Sequence, residues 1–181
     1  MNFTMRDINY RHPALSPDGN ILYFSSDDPD GWGGYDLYYA TRGTAGWSEP
    51  KLLPRTVNTV KGNEGFPYID HDTMYFATDG HTGMGGLDIF KTVRRKNGTW
   101  MPVNNLKAPI NSSRDDFGYI VDYQSDKTKK DLLAIGYFSS SRAGAGDDIY
   151  KYEKVILPPE PEPEVPVHIE YRNVLEGYIL E

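Results

Sequence analysis

The segment Ile21-Leu22-Tyr23-Phe24-Ser25-Ser26 decides the fold, because it recurs twice further along the chain. Its counterparts are Thr73-Met74-Tyr75-Phe76-Ala77-Thr78 and Ile135-Gly136-Tyr137-Phe138-Ser139-Ser140. Each copy carries a Tyr-Phe pair followed by small residues, and the phenylalanines are 52 and then 62 residues apart. Similarity at such a spacing indicates a tandem array of supersecondary units.

Two further segments recur around each copy. The downstream ones are Tyr35-Asp36-Leu37-Tyr38, Leu87-Asp88-Ile89-Phe90 and Asp147-Asp148-Ile149-Tyr150, each preceded by a glycine-rich or acidic loop. The upstream ones are His12-Pro13-Ala14-Leu15, Phe66-Pro67-Tyr68-Ile69 and Phe117-Gly118-Tyr119-Ile120, which we align with one another. Each unit therefore offers three strands.

A fourth strand follows in the first two units, at 47–52 and 100–105, and each begins with a tryptophan. The proline inside it removes a ladder hydrogen bond, which places the strand at a sheet edge. We expect Trp47 and Trp100 to cover the edge between neighbouring units. Four antiparallel strands in roughly 50 residues, without a helical period, predict an all-β fold of β-propeller blades.

The repeats set the predicted domain boundaries. Blades span 1–153, with repeats at about 12–60, 63–112 and 115–153, and a Pro/Glu-rich linker follows at 154–166. The final segment, 167–181, alternates apolar and polar residues around Gly177 and is expected to begin another β domain. Three blades do not close a ring, so we expect a fragment of a larger propeller. A self-associating half-propeller is the alternative.

The composition excludes several classes of function. A formal net charge of −7 argues against nucleic-acid partners, which require clustered Lys and Arg. The absence of cysteine excludes disulfides and thiol catalysis. No apolar run reaches the roughly 20 residues of a membrane span. The first ten residues do not form a signal peptide, so the protein is either cytoplasmic or lacks its true N-terminus here, and we favour the second interpretation.

Several segments of the repeats resemble those of known protein families. The segments His12–Gly19, Leu22–Ser26 and Gly34–Tyr38 resemble the TolB-like, WD-type propeller repeat. Asn63–Pro67 and the phrases at 79–90 and 136–142 are more similar to the propeller of Bacteroidetes OmpA-family, peptidoglycan-associated envelope proteins. The likeness covers residues 12–153. It implies a propeller fold and a place in the periplasm, associated with the outer membrane.

The resemblance also implies a function. Members of this group commonly carry a carboxypeptidase-regulatory-like β-sandwich after the propeller, and 167–181 looks like the start of a truncated one. Some members are lipoproteins of the type IX secretion machinery, and a separate OmpA-like domain binds peptidoglycan. This chain lacks the lipobox, the helical repeats and the OmpA-like domain of the full pattern. Peptidoglycan binding is therefore expected only through a domain absent from this chain, and protein partners in the cell envelope are expected for the propeller.

Few side chains of the sequence are candidates for catalysis or metal binding. Asp36, Asp88 and Asp148 either ring a metal or accept backbone N–H bonds in their turns, and a repeated position favours the structural role. The segment Asp28-Pro29-Asp30-Gly31 suggests a calcium loop, but the residue at loop position 12 is Tyr39 instead of glutamate, and no helices flank it. Calcium held by Asp27, Asp28 and Asp30 in another geometry is the alternative. The four histidines lack metal-ligand spacing, and no G-x-S-x-G motif occurs. We therefore predict no catalytic, cofactor or metal residues, and no enzyme.

Three loop residues are the candidate partner contacts: Trp32, Tyr35 and Met84 lie in or beside loop tips, where exposed large side chains favour binding. They are equally able to pack back onto the blade. A scaffold for envelope proteins is the first hypothesis. A carbohydrate- or metal-binding propeller related to a glycan-active enzyme is the alternative, and a buried carboxylate cluster on the central channel would favour it.

Overall fold

The computed structural model describes residues 7–124, 131–144 and 146–156. Within these ranges the chain is all-β: it forms strands joined by turns and loops, and no helix. The strands assemble into three antiparallel sheets. In the described residues, no helix is long and apolar enough to cross a membrane.

In the first sheet, three strands lie side by side in chain order, and two short strands both pair with the third. Its strands are β1 (Tyr10–Leu15), β2 (Ile21–Ser26), β3 (Asp36–Gly43), β4 (Gly46–Trp47) and β5 (Lys51–Leu52). The second sheet has the order β6 (Glu64–Asp70), β7 (Thr73–Thr78), β8 (Asp88–Val93) and β9 (Asn104–Asn105). The third consists of β10 (Asp116–Asp122), β11 (Leu132–Ser140) and β12 (Asp148–Val155).

The predicted repeat matches these sheets. Each Tyr-Phe segment forms the second strand of its own sheet, β2, β7 or β11, and each Asp-led segment forms the third. The pairing of the two is the same in all sheets, since Phe24 lies opposite Tyr38, Phe76 opposite Phe90, and Phe138 opposite Tyr150. The three repeats are therefore three separate, equivalent sheets.

The fourth strands are interrupted at their prolines. In the first sheet, β4 and β5 both pair with β3 and lie on either side of Pro50. In the second, a single bridge joins Arg94 to Trp100, and β9 begins beyond Pro102. Since proline has no N–H to donate, the edge pairing stops and resumes around it.

One part of the predicted alignment is wrong by one residue. The first strand of each sheet has a bulge, and the residue inside it has a positive φ: 51° at His12, 52° at Phe66 and 66° at Gly118. Gly118, not Phe117, is thus the counterpart of His12 and Phe66. A glycine adopts this left-handed conformation without steric cost, which suits it to the bulge.

The sheets stack so that Tyr23 and Tyr75 face the following sheet, whereas Phe76 and Phe138 face the preceding one. Tyr23 and Leu37 of the first sheet pack with Phe76 of the second, together with Trp100, which fills the predicted position between sheets. A second core contains Ile89, Tyr119 and Phe138, between the second and third sheets. Trp47 packs on the equivalent face of the first sheet, beside Phe24 and Tyr38.

The first strands of the three sheets lie side by side. The ring of Phe66 on β6 stacks on His12 of β1 with 3.7 Å between centroids, and it contacts Phe117 of β10 at 4.7 Å. β12 runs to Val155, two residues into the range predicted as linker. Residues 157–166 of that linker and the predicted start of a sandwich at 167–181 lie outside the described residues.

Candidate interaction surface

The loops that join the second and third strands of each sheet lie at the same end of the three sheets, which we call the loop end. In the first two loops a buried aspartate fixes the backbone. Asp36 Oδ2 accepts hydrogen bonds from the backbone N–H of Trp32 and Gly33, at 2.6 and 2.9 Å. Asp88 Oδ2 accepts the same pair from Met84 and Gly85, at 2.6 and 3.1 Å. The predicted structural role of these aspartates is confirmed at both positions.

The third aspartate differs. Asp148 is exposed, whereas Asp36 and Asp88 are 1% and 0% exposed. In the described part of the third loop, no backbone N–H is bonded to the Asp148 carboxylate. Two of the three equivalent aspartates therefore brace their loops.

A glycine is required where each of the two braced loops passes its aspartate. A Cβ at Gly31 would lie 2.3 Å from Asp36 Oδ2, and one at Gly83 would lie 1.9 Å from Asp88 Oδ2. These distances are far below van der Waals contact, so any larger residue would displace the carboxylate from its hydrogen bonds. The glycines and the aspartates together set the shape of the loops.

This bracing presents Trp32 and Met84 at equivalent positions, each four residues before its aspartate. Their side chains are 41% and 48% exposed. The Arg55 guanidinium lies 4.7 Å from the centre of the Trp32 ring. Met84 lines a shallow cavity together with Lys107. The loop end therefore displays two large apolar side chains, each with a basic residue beside it, and we call these four residues the loop surface.

Tyr35 does not belong to the loop surface. Its hydroxyl donates to Asp27 Oδ2 at 3.0 Å, and the Arg11 guanidinium lies 3.1 Å above its ring. It lines a different cavity, of about 420 Å³, with residues of β1 and β6 that include His12 and Phe66. Of the three residues predicted to contact a partner, the structure brings two to equivalent exposed tips and directs the third inward.

The sequence reasoning missed a pair of buried asparagines that join neighbouring sheets. Asn58 Oδ1 accepts from the Leu37 backbone N–H at 2.8 Å, and its Nδ2 donates to the Leu37 carbonyl at 3.0 Å. Asn111 binds Ile89 in the same way, with both distances 2.8 Å. Both asparagines lie in similar short segments, Val57-Asn58-Thr59 and Ile110-Asn111-Ser112. An alignment of the repeats that includes the connecting segments would have matched the two asparagines with each other.

A buried carboxylic acid begins β6, at the junction of the first and second sheets. Glu64 is 1% exposed, and its Oε1 accepts from the hydroxyls of Thr59 and Thr78, each at 2.8 Å. Its Oε2 has no hydrogen-bond partner within the described part of the chain. Burial, with a smaller contribution from the nearby Asp36 carboxylate, raises the pKa of Glu64 to about 7, against the lowering effect of the threonine hydroxyls.

The equivalent carboxylate at the start of β10 has a cation. Asp116, fully buried, pairs with the Arg142 guanidinium at 2.6 Å. Arg142 also donates to the carbonyl of Pro109 at 2.9 Å and lies over the rings of Phe138 and Tyr150. Two residues beyond the second strand, where the third sheet has Arg142, the second sheet has Gly80, so Glu64 receives no such partner.

The residues suggested as a calcium loop bind donors of their own chain. Asp27 accepts from the backbone and side chain of Asn9, both at 2.7 Å, and Asp28 Oδ1 accepts from the Asp30 backbone at 3.0 Å. Across the described ranges, no three His, Asp or Glu side chains are grouped so as to hold a metal ion. The buried carboxylates of the first two sheets each accept hydrogen bonds from a neighbouring loop or strand.

No family model matches the chain, and no curated protein matches it significantly.

Proposed function

We propose that this chain is the propeller part of a non-enzymatic scaffold of the cell envelope, and that its loop surface binds a protein partner. The observation that carries this proposal is the pair of braced loops, which present Trp32 and Met84 at equivalent positions on neighbouring sheets. Rigid loops lose little conformational entropy on binding, so their exposed apolar side chains are effective contacts. The three sheets are blades of a larger β-propeller in this proposal.

Three features support the blade arrangement. The sheets repeat one strand order, they pack face to face through the same two sides, and their first strands lie next to one another. These are the relations that blades have around a propeller axis. The resemblance of the sequence to OmpA-family, peptidoglycan-associated proteins supports a periplasmic location and a link to type IX secretion, with peptidoglycan bound by a separate domain.

The chemistry of the loop surface defines the partner. A tryptophan beside Arg55 and a methionine beside Lys107 suit a protein segment with apolar side chains next to carboxylates. Such binding combines buried apolar area with exposed charge pairs, so it weakens as salt increases without being abolished.

Retention of partners from an envelope extract tests the proposal. The full chain is immobilised as the wild type, as the double variant Trp32→Ala/Met84→Ala, and as the control Leu15→Ala. Leu15 is also an exposed apolar residue, 51% accessible, but it lies at the opposite end of the first sheet. We expect proteins retained by the wild type and by Leu15→Ala to be lost from the double variant. Undiminished retention by the double variant would contradict the proposal.

A carbohydrate-binding function is the second candidate, and the cavity beside Tyr35 favours it. This cavity of about 420 Å³ combines the Phe66 and Tyr35 rings with polar side chains such as Asn63 and Asp79. Aromatic faces beside hydrogen-bonding groups suit a sugar. Glycan retention without protein partners, lost in Phe66→Ala but not in the loop-surface variant, would favour this function over the scaffold.

A further inference from the structure

The buried asparagines make the same backbone contact at both junctions between neighbouring sheets. Leu37 lies opposite Ser25, and Ile89 opposite Ala77, so both have their backbone N–H and C=O directed to the outer edge of the third strand. Asn58 and Asn111 each bind both groups with one carboxamide. The carbonyls of Leu37 and Ile89 also accept from the backbone N–H of Leu53 and Leu106, respectively. Each asparagine leads into the first strand of the following sheet, which covers the side chain of Leu37 or Ile89 completely.

The same position on the third sheet is open. Ile149 lies opposite Ser139 on β12, in the register of Leu37 and Ile89. Its side chain is 79% exposed, whereas theirs are 0% exposed. Within 7–124, 131–144 and 146–156, no carboxamide reaches its backbone. Ile120, on the same face, is also exposed.

We propose that this outer face of the third sheet docks a further sheet of the same kind, whose leading asparagine bridges the N–H and C=O of Ile149. The inference rests on the blade arrangement proposed above. At the two existing junctions between sheets, the equivalent residue, Leu37 or Ile89, is covered by the following sheet and bound by its asparagine. The outer face of the third sheet continues this series. A neutral carboxamide carries an N–H donor and a C=O acceptor in one plane. It therefore matches the backbone N–H and C=O of a single strand residue, which point to the same edge of the strand.

The partner is therefore a β-sheet preceded by an apolar residue, an asparagine and a small hydroxyl residue. The two observed examples are Val57-Asn58-Thr59 and Ile110-Asn111-Ser112. Val57 is fully buried and Ile110 packs into the core between the second and third sheets, so the apolar residue contributes to the interface as well as the asparagine.

A tandem duplication supplies this partner in the full chain. Residues 94–153 are repeated after Glu153, which is the counterpart of Val93 on β8. This places a second copy of the asparagine segment and of the third sheet where Arg94 and the residues after it follow β8. Hydrogen exchange is measured at the first and the last copy of Ile149, and peptides that span the two different junctions distinguish them. The control carries Asn→Ala at the inserted copy of Asn111.

We expect the Ile149 amide of the first copy to exchange at least about tenfold more slowly than that of the last copy, since two hydrogen bonds are gained. The Asn→Ala control should remove most of this difference. Equal exchange at both copies would overturn the proposal. Protection of Ile149 in the parent chain that grows with protein concentration would also overturn it, because a second copy of the chain would then cover the face.

A variant of the parent chain tests the asparagine contact independently of whether the duplicated chain folds. Asn111→Ala should accelerate exchange of the Ile89 amide about tenfold while leaving Leu37 unchanged. Unchanged exchange at Ile89 would overturn docking through the carboxamide. Partner capture by the loop surface is a separate measurement, so its failure would leave these exchange results intact.

Discussion

Replacement of Glu64 by glutamine should abolish a pH dependence of stability. Burial raises the folded-state pKa of this carboxyl from its usual 4.5 to about 7, so between these values the folded chain holds a proton that the unfolded chain releases. Stability from this group is therefore fully present below about pH 4.5 and is lost as the pH rises through about 7. One pKa unit corresponds to about 1.4 kcal/mol, so the total loss is about 3 kcal/mol.

Glutamine at this position keeps an oxygen to accept from Thr59 and Thr78 and cannot ionise. We expect the stability difference, wild type minus Glu64→Gln, to fall by about 3 kcal/mol between pH 4.5 and pH 8. Urea unfolding of both proteins at four pH values measures it. His12, whose pKa is lowered by burial and by Arg11, acts in the opposite direction, but it is common to both proteins and cancels in the difference.

The control is Glu49→Gln, which neutralises an exposed glutamate and should leave the pH dependence of the wild type unchanged. A difference between wild type and Glu64→Gln that is constant from pH 4.5 to 8 would refute the reasoning. A difference that grows with pH would refute it as well, because the ionised carboxylate would then be stabilised by the fold.

Three further substitutions test the contacts described above, each by urea unfolding. Asp36→Ala removes two hydrogen bonds to a carboxylate and should destabilise the chain by about 2–3 kcal/mol, while Asp148→Ala should change stability by less than about 0.5 kcal/mol; equal effects would contradict the difference between the loops. Arg142→Ala leaves a buried carboxylate unpaired and should cost about 3 kcal/mol, against less than about 0.5 kcal/mol for Lys151→Ala, which breaks an exposed pair. Gly136→Ala would place a Cβ 2.2 Å from the Ile120 carbonyl oxygen and should cost about 2–3 kcal/mol, and a neutral result would show that β10 and β11 are less closely paired.

The strand pattern was predictable because it depends on local sequence. The Tyr-Phe pairs mark the second strands, since alternate side chains face the two neighbouring sheets, and Pro50 and Pro102 mark edges because they lack a donor. The bracing role of Asp36 and Asp88 followed from their position after glycine-rich loops. The one-residue error at Phe117 arose because a bulge, which a linear alignment does not show, shifts the register at Gly118.

The candidate site was less predictable because it depends on contacts between distant residues. The sequence placed Trp32, Tyr35 and Met84 in loops, but the ring of Tyr35 is covered by Arg11 from β1. The asparagines lie in connecting segments without hydrophobic periodicity, and their role requires the neighbouring strand to be in place. The pKa of Glu64 depends on the absence of a cation at the position of Gly80, which only the comparison with Arg142 makes visible.

The central claim is that three equivalent sheets are arranged around a common axis as propeller blades. Spin-label distances test it most directly, since the chain has no native cysteine to interfere. Thr41, Val93 and Glu153 are equivalent exposed positions on β3, β8 and β12, and they are replaced by cysteine in pairs. For four to eight blades, the two neighbouring distances should be equal, and the distance from 41 to 153 should be roughly 1.4 to 1.9 times either one. Unequal neighbouring distances, or an outer distance of about twice the inner one, would contradict the account.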